Sequence, residues 1–347
     1  MLLLTSARAG GYTRWMEYVT LGRTGLQVSR ICLGCMSYGQ AVTPGILQWH
    51  WTLSEDDSRP YIQRALELGI NFFDTANVYS NGESERVLGR AVRDFTRRDE
   101  VVIATKVWGP VWKGPNGRGL SRKAILSEVD KSLERLGTDY IDLYIIHRYD
   151  YDTPLEETLE ALDDVVRAGK VRYLGASSMY AWQFMKALGI QRANRWAAFI
   201  SMQNYYNLLY REEEREMLRL CASEGIGVTP WSPLARGRLA RPWADEPPTP
   251  RAKTDAFGTS LFVKTADIDK PLVDLVNGIA TARGVPPAQV AMAWVLGQPA
   301  IASPIVGATK PHHLEDAVAA LSLPLSDDER ARLDALYRPH PQSEAFA

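Results

Sequence analysis

Cysteine is scarce: Cys32, Cys35 and Cys221 are the three in 347 residues. So few exclude a disulfide-stapled secreted scaffold and suit a reducing, cytoplasmic setting. Cys32 and Cys35 have C-x-x-C spacing, but they sit in an apolar, strand-like run from Ile31 to Met36. No second pair completes a zinc site, so they read as two reduced thiols without a shared function, and no metal is expected. Neither charge is in surplus, with 40 Lys and Arg against 41 Asp and Glu. Nucleic acid and an acidic membrane surface are therefore not indicated as partners. No apolar run reaches the ~18 residues of a membrane span. Leu2-Leu3-Leu4 is shorter than the about 7–15 apolar residues of a signal peptide. No Gly-x-Gly-x-x-Gly follows the first strand, which counts against the runner-up fold, a Rossmann-type sheet.

What is present is ample apolar sequence, 46% of residues. The length suits one large α/β barrel, typically ~250 residues or more with insertions. Residues 1–15 read as a disordered N-terminal extension. Patterning begins at Glu17, which makes Met16 a candidate start and 16–347 a single domain. Val19-Thr20-Leu21 and Leu26-Gln27-Val28-Ser29, joined by Gly22-Arg23-Thr24-Gly25, read as a β-hairpin.

Eight short apolar strands follow: Ile31–Gly34, Asn71–Thr75, Val101–Lys106, Ile141–His147, Val171–Ala176, Phe199–Gln203, Gly227–Trp231 and Ala302–Val306. Their continuous apolar character predicts burial on both faces, as in a parallel sheet. Helical stretches separate them. Arg122–Leu136 is preceded by Ser121 and ended by Gly137, Leu155–Ala168 is opened by Pro154 and ended by Gly169, and Glu212–Ser223 is closed by Gly225. Eight β-then-α units predict a closed (β/α)8 TIM barrel with an N-terminal hairpin. Two segments interrupt the repeat, Val42–Leu53 and Ala235–Lys270. In a barrel both lie on the C-terminal face, where active sites are built.

Polar residues gather at the predicted strand ends. The second strand ends in Asp74, followed by Tyr79 in its loop; the third ends in Lys106; the fourth ends in His147. Singly, each has a structural reading: a cap, a solvated strand end, a structural histidine, rim packing. Jointly they select one end of three consecutive strands. A free tyrosine has a pKa near ~10, too high for an efficient acid near neutrality. A nearby ammonium is expected to lower it, and a carboxylate to hold that ammonium. Asp74, Lys106 and Tyr79 make such a chain, and His147 suits a hydrogen bond to a carbonyl oxygen. With no other nucleophile in view, hydride from a nicotinamide is the natural partner of that proton.

The sequence resembles the aldo-keto reductase family from Glu17 to about Leu336. The resemblance is carried by Leu21-Gly22-Arg23-Thr24-Gly25-Leu26, by Asn71-Phe72-Phe73-Asp74-Thr75-Ala76 with Tyr79, Gly82, Glu85 and Leu88-Gly89, by Asp139-Tyr140-Ile141-Asp142-Leu143-Tyr144 ending in His147, and by Pro304-Ile305-Val306-Gly307-Ala308-Thr309-Lys310. Gly169–Gly175 and Trp231-Ser232-Pro233-Leu234 add to it. The runs His147-Arg148-Tyr149-Asp150 and Gly175–Tyr180 resemble a bacterial and fungal branch of general aldehyde reductases.

The resemblance implies a catalytic tetrad of Asp74, Tyr79, Lys106 and His147, with Tyr79 as the acid, and NADPH lying across the barrel top. It places Gly34, Cys35 and Met36, with Asp74, near the nicotinamide. It gives Ser177, Ser178 and Gln203 to the carboxamide and Trp231 to stacking. Ser232, Leu234, Gly237 and Arg238 are implied at the pyrophosphate, and Lys310, His313 and Asp316 at the 2′-phosphate and adenine. Two positions depart from the family pattern: Ser178 and Asp316 stand where asparagine is usual. A carboxylate at 316 opposes a 2′-phosphate.

Substrate contacts are expected from Tyr38, Trp49, Trp51, Trp108, Trp112 and Arg148 and from the Ala235–Lys270 stretch. The substrate expected is a small carbonyl compound, with aldehydes and aromatic ketones favoured by so aromatic a lining, while Arg148 beside His147 leaves a phosphorylated or acidic substrate open. A nicotinamide-nucleotide-sensing regulatory subunit with little turnover is the alternative from another class. A metal-dependent barrel hydrolase or aldolase would need ligand clusters at strand ends, and His147 is the one strand-end histidine.

Overall fold

The computed structural model describes residues 5–6, 15–40, 49, 51–243, 254–255, 258, 261–262 and 265–341. Parts of three expected segments (1–15, Val42–Leu53 and Ala235–Lys270) lie outside the described residues. Thr5–Ser6 (β1) pairs antiparallel with Trp15–Met16 (β2), and Tyr18–Thr20 (β3) with Gln27–Ser29 (β4), the hairpin anticipated from sequence.

Eight parallel strands follow: β5 (Cys32–Gly34), β6 (Phe72–Asp74), β7 (Val102–Val107), β8 (Ile141–Ile146), β9 (Val171–Ser177), β10 (Phe199–Gln203), β11 (Gly227–Val228) and β12 (Ile305–Gly307). Each pairs with its sequence neighbour from β5 to β11, and β12 pairs with β5. The circle closes through parallel bridges Val228↔Ile301 and Trp231↔Ile305. Ala302 N donates to Val228 O at 2.8 Å and Ile305 N to Pro230 O at 2.9 Å. The architecture is a (β/α)8 barrel. β11 and β12 are shorter than their apolar runs because Pro230 and Pro304 have no N–H for the ladder.

The helices are α1 (Glu55–Glu67), α2 (Glu83–Phe95), α3 (Arg122–Leu136), α4 (Leu155–Arg167), α5 (Ala181–Asn194), α6 (Met217–Glu224), α7 (Ala266–Arg283), α8 (Pro287–Leu296), α9 (His312–Ala319) and α10 (Asp327–Leu336). α3 has the boundaries its sequence announces. Ser121 Oγ accepts from Ala124 N at 3.3 Å, and Gly137 turns left-handed at φ 64°. The run Glu212–Ser223 does not form one helix. Glu212–Glu214 is a short 3₁₀ turn, separate from α6. Three consecutive carboxylates are drawn to different partners: Glu212 to Tyr337, Glu213 to Asn204 and Glu214 to Tyr206.

Strand alternation sorts the core into two shells. Cys32, Phe72, Val102, Ala104, Leu143, Ile145 and Ile305 pack together inside the barrel, with Leu21 and Val28 of the hairpin closing its base. Ile31, Leu33, Phe73, Ile103, Tyr144 and Ile146 face the helices. Cys32 and Cys35 fall in different shells, both as free thiols. Continuing the inward parity, Asp74 follows Phe72, and Lys106 follows Val102 and Ala104. The two thus form part of the uppermost interior layer, at the C-terminal mouth.

Candidate active site

β6, β7 and β8 deliver Asp74, Lys106 and His147 to the same rim. Lys106 is wholly buried and Asp74 is 3% exposed. The Lys106 ammonium donates to Asp74 Oδ1 at 2.5 Å, to the Thr75 carbonyl at 2.7 Å and to the Tyr79 hydroxyl at 3.3 Å. The other Asp74 oxygen accepts from Gln203 Nε2 at 2.9 Å. Burial alone would draw Lys106 down, but Asp74 and Tyr79 carry it above its ordinary value. It is a fixed cation.

Tyr79 reaches Lys106 from a strained turn. Ser80 and Asn81 adopt φ of 48° and 55°, and Gly82 follows at 90°. The Tyr79 ring lies edge-on to His147, with centroids 5.7 Å apart, and 6.1 Å from Trp49, which stacks on Trp51. The expectation that Lys106 lowers the phenol is overturned in net direction. Burial pushes Tyr79 above its usual value, and Lys106 and Arg148 only partly offset it. Burial, together with Lys106 and Arg148, holds His147 well below its ordinary value, so the imidazole is neutral.

Left-handed, non-glycine residues recur in the loops after the strands: Ser80, Asn81, Trp108, Ser178, Ser232, Ala235 and Arg236. Each costs about 1–3 kcal/mol unless its surroundings enforce it. Such strain gathers at functional rims, and here it falls on the face that holds the four tetrad residues.

The positions expected around a nicotinamide nucleotide are arranged as follows. Gly34 ends β5, where an added Cβ would meet Ile305 Cγ2 at 2.7 Å. Cys35 turns its thiol to the helix-side core and gives its N–H to the Asp74 carbonyl at 2.8 Å. Met36 packs beside Ala76, Val78 and Tyr79. Ser177 Oγ donates to the Gln203 carbonyl at 2.7 Å, and Trp231 Nε1 donates to Ser178 Oγ at 3.2 Å. The Trp231 ring stacks on Tyr205 at 4.5 Å.

Ser232, Leu234, Gly237 and Arg238 belong to one tight loop after β11, where Gly237 has φ 94°. Arg236 is tied to Asp255, whereas Arg238 covers the rings of Trp243 and Phe262, and Arg241 donates to the Gly237 carbonyl. Burial lowers both Arg238 and Arg241, and neither is ion-paired with a carboxylate among the described residues. Lys310 is exposed. His313 accepts from Thr309 N at 3.3 Å and is lowered to about 4 by burial and by His312, Lys310 and Arg241. Asp316 accepts from Gln289 at 2.8 Å. Among the described residues Arg238, Arg241 and Lys310 are ion-paired with no carboxylate, which suits the phosphates expected at those positions.

The residues expected at the substrate divide. Trp49 stands beside Tyr79 and stacks on Trp51, and Trp108 follows β7 with φ 141°. Tyr38 is fully buried, donates to the Ala308 carbonyl at 3.0 Å and stacks on Tyr61, so it is packed into the core. Trp112 is 40% exposed and lies under the Lys131 ammonium of α3.

Sequence reasoning missed a support layer. Glu85 on α2 accepts from Thr105 and from Arg135 of α3, each at 2.5 Å. Asn77 donates to Glu128 at 3.0 Å. Asn204 accepts from Ser178 N at 2.9 Å and donates to the buried Glu213. Glu213 stood in a run of three glutamates that reads as a solvated helix start, so nothing in the pattern set it apart.

The parallel barrel thus carries a buried carboxylate–ammonium–phenol chain at its C-terminal mouth. Among the described residues no group of three or more His, Cys, Asp or Glu is placed to hold a metal, and no helix is long and apolar enough to cross a membrane. The aldo/keto reductase family profile matches residues 30–338. The chain is 45% identical to versiconal hemiacetal acetate reductase of Aspergillus parasiticus, over 94% of this chain and 99% of that one. It is 42% identical to the aldo-keto reductase AMT2 of Alternaria alternata, over 93% and 92%. It is 41% identical to the aldo-keto reductase dtxS3 of Metarhizium robertsii, over 93% and 92%. The chain belongs to the aldo/keto reductase family. Its relatives here are fungal, which narrows the expected bacterial and fungal branch.

Proposed function

We propose that this protein reduces aldehydes and ketones to alcohols with NADPH, Tyr79 giving its proton to the carbonyl oxygen. The observation that carries this reading is the disposition of the Lys106 ammonium, which donates to Asp74, Thr75 and Tyr79 at once. A cation held in that way is neither nucleophile nor base. It stabilises the phenolate that Tyr79 becomes once its proton has left. Asp74 fixes the ammonium and Gln203 fixes Asp74. A neutral His147 supports a single N–H donor role, orienting the carbonyl oxygen without competing for the proton.

When bound, the nicotinamide supplies the hydride. Gly34, Met36, Ser177 and Ser178 would hold that end, with Trp231 fixing which ring face is exposed. The Ser232–Arg241 loop would hold the pyrophosphate, with Arg238 and Arg241 as its cations. Lys310 and His313 favour a 2′-phosphate, which supports NADPH over NADH, and Asp316 acts against it. The three buried thiols suit a cytoplasmic setting.

The test is consumption of NADPH against a panel of small aldehydes, with wild type and Tyr79→Phe. The variant is expected to bind NADPH and to lose turnover by a factor on the order of 10²–10⁴. Undiminished turnover would overturn the role given to Tyr79.

A further inference from the structure

Arg148 directly follows His147 at the end of β8. Its side chain is half-buried, and this burial lowers it to about 10. Among the described residues it makes one hydrogen bond, from Nη1 to the His147 carbonyl at 2.9 Å. Some part-buried arginines here have carboxylate partners: Arg98 has Asp142, Arg135 has Glu85, and Arg211 has Glu214 and Asp334; Arg30 instead spends its donors on the carbonyls of Ile301, Ala302 and Leu296. Among the described residues Arg148 is ion-paired with no carboxylate.

The nearby acids are committed elsewhere. Asp74 gives its two oxygens to Lys106 and Gln203. Asp150, two residues on, accepts from Leu120 N at 2.6 Å, Thr153 Oγ1 at 2.8 Å and Asp152 N at 3.1 Å. Yet the positive charge of Arg148 acts on both Tyr79 and His147. It therefore stands within electrostatic reach of the groups that handle the proton. Trp49 lies beside Tyr79 and stacks on Trp51.

A half-buried guanidinium with no carboxylate partner among the described residues is partly desolvated, a cost that an anion can answer. Its planar fork of donors matches a carboxylate better than a point charge does. We infer that Arg148 binds a carboxylate carried by the substrate, so that the compounds reduced are aldehydes or ketones bearing an anionic group near the reacting carbon. This rests on the reading of the site as a carbonyl reductase. It gives that site a cation to grip an acid and an aromatic wall to seat a ring.

The experiment compares 4-carboxybenzaldehyde with 4-methylbenzaldehyde in wild type, Arg148→Met and Arg148→Lys. In parallel, benzoate and NADPH are each titrated by tryptophan fluorescence. The ratio of kcat/KM, acid over neutral, is expected to fall on the order of 10- to 100-fold in Arg148→Met. Arg148→Lys, which keeps a cation but loses the fork, should restore part of it and exclude simple misfolding. Benzoate affinity should fall in step with the ratio, and NADPH affinity should not.

An equal loss for both aldehydes would overturn the proposal, since Arg148 would then serve the Tyr79 proton. Loss of NADPH affinity in place of benzoate affinity would overturn it too. Benzoate bound through Arg148 by a wild-type protein that turns over neither aldehyde would support the anion site and overturn the reductase reading instead.

Discussion

Gln203 on β10 donates to Asp74 on β6 at 2.9 Å, so the carboxylate that holds Lys106 is itself held from the far side of the barrel. Four strand positions separate the two along the sheet order. The hydrogen bond spans the mouth and leaves Asp74 one orientation in which to receive the ammonium.

Gln203→Leu should therefore lower kcat by about tenfold through misorientation of Asp74 and Lys106. It should also cost about 1–3 kcal/mol of stability by leaving a buried carboxylate oxygen without its donor. Steady-state kinetics and urea unfolding read the two effects. A variant with unchanged kcat would show that Asp74 needs no second anchor.

Tyr79 is raised above its ordinary value, so the phenol is protonated across the neutral range. Carbonyl reduction needs the proton in place and should be flat with pH until alkaline conditions. Alcohol oxidation needs the phenolate and should climb with pH over the same range. Rate profiles in both directions are the check; a reduction rate falling between about pH 6 and 8 contradicts the raised phenol.

Glu213 is pushed up to about 8 by burial, against the opposing hydrogen bond from Asn204. The folded state then keeps a proton that the unfolded chain releases from its ordinary value of 4.5 upward. The folded state binds more protons in that window, so stability declines as pH rises from there to about 8. Glu213→Gln removes this dependence. Its melting temperature should exceed that of wild type above about pH 8, with the gap narrowing toward acid. Parallel melting curves across pH would rule the effect out.

Arg135 and Glu85 form a pair in which the glutamate is wholly buried. Removing the cation strands a charge between α2 and α3. Arg135→Met is expected to destabilise the fold by about 3–5 kcal/mol, measured by denaturant unfolding. A cost under about 1 kcal/mol would mean that Thr105 and solvent suffice for Glu85.

Lys310 and Asp316 have opposite signs at the position expected for the 2′-phosphate. Lys310→Ala should weaken NADPH by about tenfold, roughly one charge-assisted hydrogen bond, with little effect on NADH. Asp316→Asn should tighten NADPH. Fluorescence titration of the two cofactors separates these outcomes, and equal shifts for both would remove the phosphate from the account.

The strands were legible because burial on both faces leaves an apolar run that needs no partner to be seen. Two of the expected runs nevertheless pass through Pro230 and Pro304, where the ladder lacks a donor and the strands Gly227–Val228 and Ile305–Gly307 are shorter. The break between Glu212–Glu214 and α6 was not, because it depends on Tyr337, Asn204 and Tyr206, residues remote in sequence or on other elements. Tyr38 reads as a rim aromatic, yet its hydroxyl finds the Ala308 carbonyl inside the core. Arg135 looks like one more charge on an amphipathic helix until Glu85 is placed opposite it. The sign of the Tyr79 shift was also out of reach, since it turns on how much water the fold excludes. Roles at single residues are visible in a sequence; balances between neighbours are not.

Asp74 and Lys106 extend the innermost layer of the barrel, continuous with Phe72, Val102 and Ala104 beneath them. A change that shifts either one disturbs the staves of the barrel itself, whereas Trp49, Trp108 and Arg148 stand on loops or at a strand's last step. The Asp74–Lys106 pair is thus welded to the scaffold, whereas Tyr79, proposed to give the proton, and the residues proposed to choose the carbonyl compound stand on the loops around it. Such a protein can trade substrates by exchanging rim residues, with no need to reinvent how its ammonium is held.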